Sequence, residues 1–208
     1  MITNMNDLKN KDIVELEVNK EINCSKEVAQ WNYWDCEHVD VVHSGYKSSH
    51  ILHIKDNHMF GIHSIKIPLL PFITTTTPIF MVQDNEDEQY SFTILFGVVS
   101  RTTITIKSLE RSKCAITMNY KFYCNGWRKI FKPFIKYLMP IWNERVWQED
   151  YNIKIRRQKM LDMNFKDFTG LPKDLNDRIL KDFNERKLKL PIPRPKNSTR
   201  DRHPLKVK

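Results

Sequence analysis

ELEVNKEINCSKEVAQWNYWDCEH, residues 15–38, decides the reading of the fold. It overlaps a run from Ile13 to Ile22 in which Val14, Leu16, Val18 and Ile22 alternate with charged or polar side chains. That period of two marks a half-buried strand. Asn23-Cys24-Ser25 interrupts the alternation, and the Ser25 hydroxyl, able to accept a backbone N–H from the next turn, starts a short helix from about Lys26 to Trp34. A strand running straight into a helix therefore opens the domain.

Downstream, from about Lys47 to Cys124, the sequence reads as successive strands: SHILHIKD, HMFGIHSIKIP, PIFMVQD, YSFTILFGVVS, TTITIKSL and CAITMNYKFYC. They are rich in Ile, Val, Thr, Phe and Tyr, and turn-forming or charged stretches separate them. Short connections imply an antiparallel meander, and six such strands added to the first make a sheet wide enough to curl. After Asn125-Gly126 the period changes. Apolar residues from Trp127 to Leu161 recur at helical spacing, interrupted by Pro133 and Pro140. Pro133 suits the first turns of a helix, whereas Pro140 predicts a kink or a division into two. A long, aromatic helix needs a broad apolar surface, and the concave face of the sheet is the surface available. The fold class expected is α+β, a curved antiparallel sheet wrapped around a long C-terminal helix.

The expected organisation is an N-terminal arm over 1–12, one pocket-forming domain over 13–170, a weak helix over 171–185 and a disordered basic tail over 186–208. The tail is proline-rich and poor in apolar residues. It also holds nine Lys and Arg against one acid, Asp201, so that +8 of the net charge of +9 sits there and the rest of the chain is nearly neutral. This argues against nucleic acid as a partner of the domain, although the tail itself could meet an anionic surface. With five glycines, no phosphate-binding GxGxxG or GxxxxGK loop can be placed. The four cysteines form no CxxC pair and no zinc-finger spacing, as expected of reduced thiols in a cytoplasmic protein. The N-terminus lacks the apolar stretch of a signal peptide, and no run approaches the roughly 18 apolar residues of a spanning helix.

Six of the seven histidines lie between His38 and His63. His50, His53, His58 and His63 fall in strand-like stretches without a common ligand spacing and read as structural or surface groups. The stretch Asp35-Cys36-Glu37-His38-Val39-Asp40-Val41-Val42-His43 is different, because it reads D-x2-H-x4-H. On a helix Asp35 and His38 would lie about 60° apart and His38 and His43 about 140°. Both imidazoles can therefore meet one ion only if the segment contains a bulge or a helix end. The pattern alone leaves His38 and His43 open as metal ligands or as pocket-lining or capping groups.

The D-x2-H-x4-H stretch resembles the metal-site motif in the catalytic domain of Rieske non-haem iron oxygenases. Its setting is similar too: ELEVNKEINCSKEVAQWNYWDCEH looks like the opening strand and helix of the START-like, helix-grip superfamily (SRPBCC), and WNERVWQEDYNIKIRRQK looks like its closing helix. That superfamily also holds polyketide cyclases and lipid carriers. Carried over, the resemblance implies Fe(II) bound by His38, His43 and Asp150, with Asp35 hydrogen-bonded to a ligand and taking part in catalysis. Glu144 and Glu149 lie close to Asp150 on the same segment. Two neutral imidazoles and one carboxylate leave open positions for oxygen and substrate. The iron–sulfur motifs C-x-H and C-x2-H of those oxygenases are absent, and so is the length before residue 13 to hold that domain, so the electrons would come from a separate reductase or ferredoxin. The implied substrate is a hydrophobic or aromatic small molecule. The alternative within the superfamily is a metal-free binding or transfer protein for a lipid or polyketide-like ligand, or a cyclase. In that case Trp127 to Trp142, with Lys129, Lys132 and Lys136, would rest peripherally on a membrane surface.

Overall fold

The computed structural model describes residues 12–35, 38–55, 57–67 and 70–163. Residues 1–11 of the expected arm over 1–12, the weak helix over 171–185 and the tail over 186–208 lie outside the described residues. Strand β1 (Ile13–Ile22) keeps its alternation, with Glu15, Glu17, Asn19 and Glu21 exposed and Val14 and Ile22 buried. Helix α1 (Lys26–Trp34) starts where Ser25 Oγ accepts the N–H of Val28 at 3.4 Å. The one-turn helix α2 (Val39–Val42) follows. Strands β2 (Tyr46–Lys55), β3 (His58–Ile67), β4 (Leu70–Gln83), β5 (Glu88–Leu95), β6 (Val98–Glu110) and β7 (Lys113–Tyr123) come next. A 3-10 segment (Gly126–Phe131) then leads into α3 (Lys132–Asp162).

All neighbouring strands are antiparallel, in the order β1-β7-β6-β5-β4-β3-β2, so β1 crosses to close one edge beside β7. The sheet curves, and α1 and α3 pack together on it around one main core. Trp34, Val28 and Ala29 from α1, Met59, Ile106 and Ile116 from the sheet and Trp147 from α3 are all buried there. Burying a side chain of this size contributes about 1.5–3 kcal/mol, which is why a helix as short as α1 is stable. Two polar groups that α1 buries are paired across to the sheet side: Trp34 Nε1 donates to Gln83 Oε1 at 2.9 Å and Gln30 donates to the carbonyl of Glu86.

The structure corrects three details of the sequence reading. YSFTILFGVVS is not one strand. It contains the β5–β6 hairpin turn, with Phe96 at φ 50° and Gly97 at φ 74°, and its second half joins TTITIKSL in β6. Two successive residues with positive φ make the tight turn that matches strand twist. Phe is an unusual occupant of the first position, and here its ring stacks on Phe131 at 6.2 Å. Strand β4 also begins earlier than expected, at Leu70, so the threonine run belongs to it. Finally, Pro140 does not divide α3. Both Pro140 and Lys136, whose carbonyl loses its intrahelical donor, are exposed, so water can satisfy what the proline leaves open.

Candidate metal centre

Helix α2 explains how a D-x2-H-x4-H spacing can converge. His38 is its N-cap and His43 its C-cap, so the two imidazoles leave from opposite ends of a single turn instead of from one regular helix. Their rings stand edge to face, with centroids 5.2 Å apart. Tyr46 tilts against His43 at 5.7 Å, and Trp142 of α3 packs on Tyr46 at 5.9 Å. The chain can pass this point only because residue 45 is glycine: a Cβ there would stand 2.2 Å from the Trp142 ring.

Asp150 is brought to the two histidines from α3, which buries it at 4% exposure. Its Oδ1 lies 3.3 Å from His38 Nε2 and 3.2 Å from His43 Nε2, and it also accepts from Asn32 Nδ2 at 3.4 Å. Its Oδ2 accepts from Lys154 Nζ, one helical turn on, at 3.3 Å. Lys154 is fully buried, with its ammonium 4.9 Å from the Tyr33 ring and 4.8 Å from the Trp147 ring. Burial alone would raise the Asp150 carboxyl, but the Lys154 charge and then the contacts to His38 and His43 hold it well below its ordinary value.

His43 is held from both sides. Its Nδ1 donates to Glu149 Oε2 at 3.0 Å while its Nε2 faces Asp150. Burial pulls its pKa down, yet the hydrogen bonds and charges of Asp150 and Glu149 together raise it above the ordinary value. Glu149 in turn accepts from the N–H of Ser44 at 3.3 Å and from the Ser44 hydroxyl. Asp35 is placed differently from the expectation of a hydrogen bond. Its Oδ2 lies 3.9 Å from His38 Nδ1, at ion-pair range only, and that buried nitrogen has no hydrogen-bond partner. The cause is local: Asp35 is the C-cap of α1 with ψ 84°, so the helical spacing that would bring residues three apart into contact is already broken.

The donor set fits a metal ion. His38, His43 and Asp150 each offer one ligand atom, and these atoms lie within 4.8 Å of one another. Ligands at about 2.1 Å from one ion, in adjacent positions, stand about 3 Å apart, close to the two separations that Asp150 Oδ1 makes. None of His50, His53, His58 and His63 belongs to this group, although His63 is buried and meets Tyr46 edge-on at 5.4 Å. Glu149, Lys154 and Asn32 are the residues that sequence reasoning did not assign. For Lys154 a signal existed, the i,i+4 spacing from Asp150, but its burial was not legible.

No protein-family model and no curated protein matches the sequence. Solved structures do. The chain is similar to dicamba monooxygenase bound to 3,6-dichlorosalicylic acid, at 11% identity and a TM-score of 0.56, over 85% of this chain and 59% of that one. It is similar to the Zhui aromatase/cyclase from Streptomyces sp. R1128, at 8% identity and a TM-score of 0.56, over 71% of this chain and 94% of that one. A START superfamily protein from Mycobacterium smegmatis matches at 12% identity and a TM-score of 0.53, over 71% of this chain and 98% of that one. At these identities the likeness establishes the fold. Among the described residues no helix is long and apolar enough to cross a membrane.

Proposed function

From the premise that the chain has the START-like helix-grip fold, we propose that it is a mononuclear non-haem iron protein of the oxygenase type. His38, His43 and Asp150 are the metal ligands, and a hydrophobic or aromatic small molecule held between sheet and α3 is the substrate. The observation that carries this reading is the convergence of both Nε2 atoms on Asp150 Oδ1, at 3.3 and 3.2 Å. A separate reductase or ferredoxin supplies the electrons. Bound Fe(II) would supply oxygen activation at its open positions. The protein groups prepare the site. Glu149 takes the Nδ1 proton of His43 in a hydrogen bond and so leaves Nε2 as the ligand nitrogen. Lys154 occupies Oδ2 of Asp150, which directs Oδ1 toward the histidines. Asp35 holds the face of His38 nearest Nδ1, where a small closing movement would complete a hydrogen bond. The test is metal analysis of protein purified without chelators. Near-stoichiometric iron is expected, lost in His38→Ala and in His43→Ala. Iron-free wild-type protein that also fails to take up added Fe(II) would overturn the reading.

One observation favours a second reading. Asp150 is already matched by a fully buried Lys154 and two imidazoles, so the cluster is electrostatically complete without an ion. A metal-free protein of this fold would bind a lipid or polyketide-like ligand between sheet and α3, or would use His43, set between two carboxylates, as an acid or base in a cyclase. Iron-free protein that carries an apolar ligand through purification is the outcome expected on that reading.

A further inference from the structure

The 3-10 segment and the first half of the closing helix bury Ile135 but leave a row of other large apolar side chains exposed. Trp127 is 62% exposed, Ile130 69%, Phe134 42%, Tyr137 71% and Ile141 55%, a stripe with alternating spacings of three and four. The stripe is continuous with the β5–β6 turn, because Phe131 joins the ring of Trp127 at 5.7 Å to that of Phe96 at 6.2 Å, and Phe96 is itself exposed. From Asn125 to Asn143 the sequence has no Asp or Glu but has Arg128, Lys129, Lys132 and Lys136. Asp12 pairs with Lys129 at 2.9 Å and reaches Lys132 at 3.8 Å, while Lys136 is exposed.

From these observations we infer that this face, the segment from Trp127 to Ile141 together with the Phe96 turn, docks on an anionic lipid bilayer surface. The inference is independent of the metal centre. Charge selects this occupant: an apolar stripe edged by four cations, against which Asp12 sets a single acid on Lys129 and Lys132, matches an anionic interface, where Trp and Tyr rings lie at headgroup level. A second copy would set the same cations against each other. The chain's own C-terminal segment leaves α3 at Met163, about 30 Å along the helix from Ile141, and on its way back would first meet exposed Glu144, Arg145 and Gln148. The basic run over 186–208 is complementary to the same lipid surface.

Cosedimentation of the full chain with vesicles tests this, using phosphatidylcholine alone and phosphatidylcholine mixed with phosphatidylserine. Binding to the mixed vesicles is expected, with affinity reduced about tenfold or more by the double substitution Ile130→Ser, Tyr137→Ser and several-fold by Lys136→Glu. Both variants alter exposed side chains, so an unchanged melting temperature serves as the control for folding. Failure of the wild-type chain to pellet with either vesicle overturns the inference. So does equal pelleting of the double variant, which assigns the binding to the basic tail. Sedimentation velocity of the free chain covers the remaining possibility: a dimer dissolved by the same double substitution would make this face a self-association surface and would also overturn it.

Discussion

The two halves of the closing helical stretch, the first taken with the 3-10 segment that leads into it, differ in what their faces meet. Between 126 and 141 the exposed positions are aromatic, aliphatic or basic, whereas beyond Asn143 the exposed positions of α3 are Glu144, Arg145, Gln148, Asn152, Arg156, Lys159 and Asp162. The inward faces differ in the opposite sense. In the second half they carry Asn143, Asp150, Lys154 and Gln158, all buried, among Trp147 and Leu161. Helical periodicity alone would put the apolar residues inward and the polar ones outward. Over the second half of α3 the protein instead buries charge against charge, and over the first half it leaves apolar surface in water. Both departures are costly unless something compensates, and a compensated cost of this kind is where function is to be sought.

The largest effect that would sharpen the contrast comes from Asp150→Ala. It leaves Lys154 buried without its carboxylate, and removal of one partner of a buried pair costs about 3–5 kcal/mol. Denaturant unfolding of the metal-free variant should show a loss of this size, and a loss under about 1 kcal/mol would mean that water reaches Lys154. The next effect is in pH. His43 has a pKa raised above 6.5 by Asp150 and Glu149 against the opposing pull of burial, so the stability it contributes is complete below about pH 6.5 and is lost as pH rises through the raised value. Asp150 is depressed below 3.8, so its contribution is present above that pH and is lost only as pH falls through the depressed value. The melting temperature of metal-free protein should therefore decline from pH 6 to pH 9. The gain on adding Fe(II) should grow over the same range, because ligand imidazoles must shed protons to bind. A gain independent of pH would separate these histidines from the metal. The smallest effect lies in the first half of the helix. Ile130→Ser should change unfolding free energy by no more than about 0.5 kcal/mol, and a loss above 2 kcal/mol would show that the face is covered in the free chain.

Much of this architecture was legible in the residue pattern. The alternation from Ile13 to Ile22, the Ser25 cap and the helical spacing after Gly126 each set a local conformation by local chemistry, and the structure keeps all three. The hairpin at Phe96-Gly97 was missed because apolar periodicity continues across it and Phe rarely takes a positive φ. The apolar run after Gly126 was expected to lie on the sheet, yet Trp127 and Phe134 within it are exposed. Hydrophobicity announces that a side chain should be covered; it does not say by what.

The histidines teach the same lesson at the site. That D-x2-H-x4-H needs a helix end to converge followed from helix geometry, and α2 supplies two such ends, one under each imidazole. The resemblance pointed to Asp150, but composition and spacing could not choose it over Glu144 or Glu149. The register of α3 on the sheet made that choice, turning Asp150 inward, setting Glu149 against His43 and leaving Glu144 outside on Lys20.

By itself the sequence determined where the first strand, the capped helix and the closing helix form, that a long helix must lie on a curled sheet, and that the chain's excess positive charge resides in its last 23 residues. These follow from interactions among near neighbours, and a linear pattern records such interactions. Only the tertiary structure decided which carboxylate meets the two imidazoles, that a lysine is buried beside it, and which face of α3 remains uncovered. Those outcomes depend on the rotation of one helix about its axis, where each residue turns its side chain by 100° and so sets buried Asp150 apart from exposed Glu144.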